Sequence, residues 1–188
     1  FRNRKLAPWI AQWDHHAINS GVPGKGAQDA WMKTALSNEL ARLAGFHIAG
    51  GSVDVFKCFD QINRPLLYKM AKAAGMPSRI LDPYFNYIDN LKVRYQIGKT
   101  IGKARTDRCS IPQGCPFSMT MIALMMRPWI KLMEEHKVEP RVLADDLMFT
   151  AKGEGHRSKT IHAMQASRNY FQHMGAKVAH HKCFTFST

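Results

Sequence analysis

The stretch Arg141-Val142-Leu143-Ala144-Asp145-Asp146-Leu147-Met148-Phe149-Thr150 places two adjacent aspartates between two apolar, strand-forming runs, Arg141 to Ala144 and Leu147 to Thr150. The pattern predicts a tight hairpin. Like charges side by side repel, and a divalent ion or a tight turn is the natural remedy. Successive strand residues face opposite sides, so Asp145 and Asp146 are not equivalent as ligands unless the turn rotates one of them. Asp145 is the first candidate ligand.

Two more segments give the pair a context. Val53-Asp54-Val55-Phe56-Lys57-Cys58-Phe59-Asp60 sets Asp54 inside an apolar strand, where an unpaired carboxylate costs several kcal/mol of desolvation. A bound cation removes that cost, and so does a salt bridge to one of the many Lys or Arg residues. Ile111-Pro112-Gln113-Gly114-Cys115-Pro116-Phe117-Ser118 is a breaker-rich loop. Phosphoryl transfer to a hydroxyl uses two cations about 3.5 to 4 Å apart, held by carboxylates, and strand ends supply the rigidity this needs.

Composition agrees with a phosphate-bearing partner. The 188 residues suffice for one sizeable core, and 27 Lys and Arg against 14 Asp and Glu give a net charge of +13 and a pI near 9.9. Such an excess favours a polyanion through counterion release, which predicts salt-sensitive nucleic-acid binding. The longest apolar run, Met119 to Met126, is too short to span a bilayer and is interrupted by Arg127 and Pro128, so no membrane partner is expected. The opening Phe1-Arg2-Asn3-Arg4-Lys5 lacks an initiator Met and a signal-peptide core, and reads as the start of an excised fragment. Cys58, Cys109, Cys115 and Cys183 show no CxxC pairing and read as reduced intracellular thiols. His180, His181 and Cys183 lack a second ligand pair at finger-like spacing, so zinc is not expected.

Helical spacing covers Ala27 to Ala44 after the loop Gly21 to Gly26, and a strand is predicted near Ser52 to Phe56. Asn63 caps a helix with Pro65 in its first turn and its end at Gly75, and Ser78 offers a cap to the next. Lys92 to Ile97 and Thr100 to Cys109 suggest a twisted hairpin. Phe117 to Glu135 reads as a buried helix bent at Pro128, Ser158 to Met174 as an amphipathic helix closed by Gly175, and the last strands run from Lys177 onward.

In order and separation, the segments around Asp54, Gln113-Gly114 and Asp145-Asp146 resemble polymerase motifs A, B and C of reverse transcriptases, closest to the non-LTR retrotransposon and group II intron branch. Gly21 to Ala30 resembles the Gly-rich segment before a fingers helix of that branch, and Gly175 to Cys183 resembles motif D. The resemblance thus spans nearly the whole chain. It implies an α/β (α+β) fold, with an antiparallel palm sheet backed by helices over about 47–75 and 112–188, and partial fingers over about 1–46 and 76–111. It also implies an intracellular RNA-directed DNA polymerase, nuclear for a eukaryotic retroelement, acting on an RNA or DNA template with a primer and on deoxynucleoside triphosphates. Two Mg²⁺ ions, or Mn²⁺, would be held by Asp54, Asp145, Asp146 and the Val55 carbonyl. Phe56 and Val55 would line the nucleotide site, with Phe59 under the incoming sugar and Gln113 and Gly114 closing over the nascent pair. Lys182 would protonate the leaving pyrophosphate.

The sequence departs from the pattern in places. Leu143 stands where most relatives carry Tyr or Phe, and Ala179 where motif D usually has Asn. No thumb, triphosphate-gripping strand or nuclease domain is recognisable, so these are expected elsewhere in a parent chain. An RNA-dependent RNA polymerase would instead carry an Asp at Phe59 and Gly-Asp-Asp at Ala144-Asp145-Asp146. A binding module derived from a retroelement would need none of the carboxylates.

Overall fold

Residues 2–107 and 109–188 are described by the computed structural model, Arg2 and Asn3 by backbone alone; Phe1 of the basic N-terminal run and Arg108 of the expected strand Thr100 to Cys109 lie outside them. Ordered along the chain are α1 (Arg2–Trp13), α2 (Ala27–Leu43), β1 (Ile48–Asp54), α3 (Cys58–Gln61), α4 (Arg64–Ala73) and α5 (Ser78–Asp89). Four two-residue strands follow, β2 (Lys92–Val93), β3 (Gln96–Ile97), β4 (Thr100–Ile101) and β5 (Arg105–Thr106). The remainder is α6 (Ser118–Met125), α7 (Arg127–Glu135), β6 (Glu139–Leu143), β7 (Asp146–Lys152), α8 (His156–His173), a 3₁₀ turn (His180–Lys182) and β8 (Phe184–Ser187). The class is mixed α/β, as expected, with antiparallel pairing inside a four-stranded sheet ordered β6-β7-β1-β8.

Register divides the sheet's two faces. Val53 lies opposite Leu147, Gly51 opposite Phe149, and Val142 opposite Leu147, and these side chains turn to the core under α8, with Val142, Leu147 and Phe149 at 0 to 1% exposure. Alternation sends Ser52, Asp54, Arg141, Leu143, Asp146 and Met148 to the other face. Two glycines in β1 allow the close packing. A Cβ on Gly50 would sit 2.5 Å from the Phe149 carbonyl oxygen, and one on Gly51 would sit 2.7 Å from Met164 of α8. Trp129 of α7 is fully buried and donates its indole N–H to Ser167 of α8 at 2.9 Å, joining the two helices behind the sheet.

Sequence expectations hold for most elements and fail at a few for identifiable reasons. Asn63 caps α4 by accepting from the Leu66 amide at 3.0 Å, but Pro77 takes the cap position before α5 and Ser78 lies inside the helix. The expected single helix from Phe117 to Glu135 is two, parted at Met126, because Pro128 lacks an N–H and is accommodated in the first turn of α7 rather than at a bend. The final strand begins at Phe184, with the 3₁₀ turn in place of its expected start. Helix α1, with Pro8 inside it, has no counterpart in the sequence reading. Leu6, Trp9, Ile10 and Trp13 recur at i, i+3, i+4 and i+7, and all are buried. No helix among the described residues is long and apolar enough to cross a membrane.

The segment after α1 fixes the hairpin. Ala17 and Asn19 exchange 2.8 Å backbone bonds with Val142 on β6, and the Ser20 hydroxyl accepts from the Ala144 amide at 2.6 Å. On the far end of the same face, α2 is tied down by Glu139, whose carboxylate accepts from Ser37 at 2.8 Å, from Lys152 at 2.7 Å and from Arg141. Burial alone would raise the Glu139 carboxyl, but these donors outweigh it and bring its pKa down to about 2. A depressed carboxyl pKa stabilises fully above the unfolded value of about 4.3 and loses that stabilisation as pH falls toward 2. Glu139→Gln is therefore expected to cost about 1 to 2 kcal/mol at pH 7. Its melting temperature should also fall less steeply than wild type between about pH 4.5 and 2 in circular-dichroism melts. Parallel slopes would show that the ion cluster does not stabilise the fold.

Candidate active site

Asp54 ends β1 and Asp146 begins β7, and the two are direct cross-strand partners. Asp145 sits in the two-residue turn between β6 and β7, beside Ala144, whose φ of 57° lies in the left-handed region. That turn breaks strict alternation, so both aspartates of the pair reach the same end of the sheet. The backbone of Asp54 is held by the segment from Ala179 to Cys183. Its carbonyl accepts from the Ala179 amide at 2.8 Å, and its amide donates to the Cys183 sulfur at 3.4 Å. Lys182 Nζ stands 3.5 Å from Asp54 Oδ2.

Crowding of negative charge is visible in the titrating groups. The Asp146 carboxyl is raised by burial first, then by the charges of Asp145 and Asp54, with Lys182 pulling it partly back. Burial, then Asp145 and Asp54, push the Cys58 thiol up to about 12, so this thiol stays protonated and inert. The three carboxylates thus share one field, yet their oxygens are not gathered into a cage. Among the described residues, the group whose donor atoms all lie within 4.8 Å of one another is instead His15, His16 and Glu134. There His15 Nδ1 accepts from the Ala17 amide at 3.2 Å and Nε2 faces Glu134 at 3.1 Å, so the proton is on Nε2 and the ring clamps a loop to α7 rather than offering a lone pair.

The other sequence candidates cluster around Asp54 to differing degrees. Val55 is buried and bridges to Val178. Phe56 is 44% exposed, its amide donates to the Lys177 carbonyl at 2.9 Å, and its own carbonyl accepts from Gln61. Lys57 takes a left-handed φ of 43° and opens α3, which carries Phe59 half-buried against the core. The Phe59 carbonyl accepts from the Ile111 amide at 3.0 Å, which couples the Asp54 segment to the loop holding Gln113 and Gly114. Gln113 and Gly114 are exposed at the tip of that loop, and Gly114 has a φ of 81° with open space where a side chain would be. Ser118 braces the loop from α6 by donating to the Pro112 carbonyl at 2.7 Å. Lys182 is the one positive side chain placed directly on a carboxylate of this site among the described residues.

Two supports escaped sequence reading. Ser20 holds the hairpin turn, and Cys183 holds the Asp54 amide; neither lies in a pattern that signals such a role. A cleft of about 410 Å³ runs behind Asp146 between α2 and the sheet, lined by Ala30, Trp31, Ser52, Arg141 and Leu143 among others.

Comparison with known families decides the lineage. Residues 3–188 match the family model described as reverse transcriptase (RNA-dependent DNA polymerase). The chain belongs to the reverse transcriptase family. This reverse transcriptase domain is similar in fold to telomerase from Candida tropicalis, solved with a TWJ fragment of telomeric RNA, with a TM-score of 0.71 at 14% identity over 99% of this chain and 33% of that one. It is likewise similar to the apo form of that telomerase truncated from its C-terminal domain, with a TM-score of 0.68 at 14% identity over 98% of this chain and 39% of that one. For telomerase from Candida albicans the TM-score is 0.52 at 12% identity, over 98% and 32%. The domain therefore spans about a third of the length of the telomerase chains it matches. No curated protein matches it.

Proposed function

We propose that this reverse transcriptase domain is the catalytic part of an RNA-directed DNA polymerase of a retroelement, of the non-LTR or group II intron type, adding deoxynucleotides to a primer 3′-hydroxyl. The observation that carries the reading is the meeting of Asp54, Asp145 and Asp146 at one sheet end, with Asp54 and Asp146 directly opposed across the strands. Burial, then the charges of Asp145 and Asp54, make Asp146 costly to ionise, a setting that suits divalent cations, and the hard oxygen donors of the three carboxylates suit Mg²⁺. Asp54 and Asp145 would hold two ions with help from Asp146 and the Val55 carbonyl, and the ions would activate the primer hydroxyl and neutralise the triphosphate. In this reading about 47–75 and 112–188, with the four-stranded sheet, form the palm, and about 1–46 and 76–111 belong to the fingers. Thumb and triphosphate-gripping elements would come from the rest of the parent protein.

Lys182 has two parts in this scheme. It stands on Asp54 at 3.5 Å, and with cations on the carboxylates it would be free to turn toward the triphosphate, where it would give a proton to the departing pyrophosphate. Removing it therefore takes away a competitor for the carboxylate. Lys182→Met is expected to bind Mn²⁺ about two- to five-fold more tightly in an electron paramagnetic resonance titration, the size of a half-exposed ion pair, while slowing nucleotide addition. Weaker metal binding in a folded Lys182→Met protein would contradict both the pairing and the metal assignment of Asp54.

A further inference from the structure

Between α5 and the Pro112 to Pro116 loop the chain leaves the body of the domain as an arm. Every residue from Arg94 to Thr106 is exposed. The base is a two-residue ladder, Lys92 opposite Thr106 and Val93 opposite Arg105, and the outer part is another, Gln96 opposite Ile101 and Ile97 opposite Thr100. Gly98, with a φ of 59°, turns the tip, and the Gly102 amide donates to the Tyr95 carbonyl at 2.8 Å between the ladders. The arm is anchored through Arg64, itself 5% exposed, which donates to the carbonyls of Asp107 at 2.8 Å and Ser110 at 2.7 Å.

An isolated two-stranded hairpin is at best marginally stable in water, so a thirteen-residue run with no buried side chain gains little for the fold. Its composition is one-sided. Lys92, Arg94, Lys99, Lys103 and Arg105 face a single acidic residue, Asp107, which is paired with Arg105 at 3.3 Å. The Arg105 guanidinium also lies 4.3 Å over the ring of Tyr95, which is 59% exposed, giving a flat cationic and aromatic surface. Ile97 and Ile101 are exposed too, but their ladder partners put them on opposite faces of the arm, so they do not form the contiguous apolar centre of a protein interface.

We infer that this arm is a second nucleic-acid contact, gripping the sugar-phosphate backbone of the template-primer away from the carboxylates, with Tyr95 and Arg105 offering a stacking surface. Cations that track phosphates and aromatic rings that accept any base are how sequence-independent grips are built. The inference rests on the nucleic-acid half of the function proposed above and is independent of its chemistry. Binding is therefore read without turnover, in a protein carrying Asp145→Asn.

The test is fluorescence anisotropy of a DNA primer annealed to an RNA template, titrated over a range of salt. Lys99→Glu with Lys103→Glu is expected to weaken binding about tenfold or more near 0.1 M salt and to flatten the log-log salt slope by about two units, close to 0.9 for each phosphate no longer neutralised. Tyr95→Ala should weaken binding several-fold while leaving the salt slope near that of the parent. A control with the same charge change behind the sheet, Lys131→Glu with Arg168→Glu, should change affinity far less. Because the arm adds no side chain to the core, its variants should melt with the parent protein. Unchanged affinity in the arm variants would overturn the inference, including in favour of an acidic protein as partner. Equal losses in arm and control variants would overturn it as well, by showing that only total charge matters.

Discussion

Replacing Asp54 or Asp145 by Ala in the protein that carries this domain is expected to lower nucleotide addition on the order of a thousand-fold or more while leaving the fold intact. Each side chain is a proposed ligand to two cations, so its removal forfeits both metal position and charge stabilisation in the transition state. The fold should survive because neither carboxylate carries packing. Asp145 lies in a turn, and Asp54 is held by its backbone, through the Ala179 amide and the Cys183 sulfur, not by its carboxylate. Removing Asp54 also relieves Asp146, whose carboxyl its charge helps to raise. The check is single-turnover primer extension beside a melting curve. Near wild-type extension by either folded variant would remove that residue from the metal site.

The second large effect is expected at Phe59, as a change in sugar selectivity. A flat ring beneath C2′ leaves a ribose hydroxyl without room and without a hydrogen-bond partner. Phe59→Ala or Phe59→Val should raise ribonucleotide incorporation relative to deoxynucleotide by about one or more orders of magnitude, or roughly 1.4 kcal/mol per tenfold. The ring is half-buried and packs against the core, so truncation should also cost about 1 to 3 kcal/mol, short of the full penalty of a wholly buried Phe. Its carbonyl bond to Ile111 belongs to the backbone and should persist. Matched kcat/KM values for ribo- and deoxynucleotides separate the two roles. A destabilised variant with wild-type selectivity would leave Phe59 a packing residue.

Much of this molecule is legible in the sequence because local rules and tertiary demands agree. The hairpin around Asp145 and Asp146 and the Asn63 cap form where spacing and chemistry place them, whereas the strand expected near Ser52 to Phe56 runs from Ile48 to Asp54, so Asp54 ends it rather than lying inside it. What escaped is tertiary. Helix α1 is stabilised by burying Trp9 and Trp13, with Trp9 donating to the Ala74 carbonyl at the end of α4, and this overrides the local signal of Pro8. Ser20 bonds to Ala144 across 124 residues, and Cys183 bonds to Asp54 across 129. Pairings this distant leave no local pattern. The placing of Lys182 on Asp54 is intermediate, since the resemblance to motif D singled out the lysine but only the fold supplies its partner.

The most direct measurement is extension of a DNA primer annealed to an RNA template by the protein that carries this domain, with the product sequenced. The expected result is Mg²⁺-dependent addition of deoxynucleotides complementary to the template, abolished by a chelator and by Asp145→Asn. Extension that ignores the template sequence, or that survives both treatments, would contradict a two-metal reverse transcriptase, as would a folded, nucleic-acid-bound protein that adds nothing.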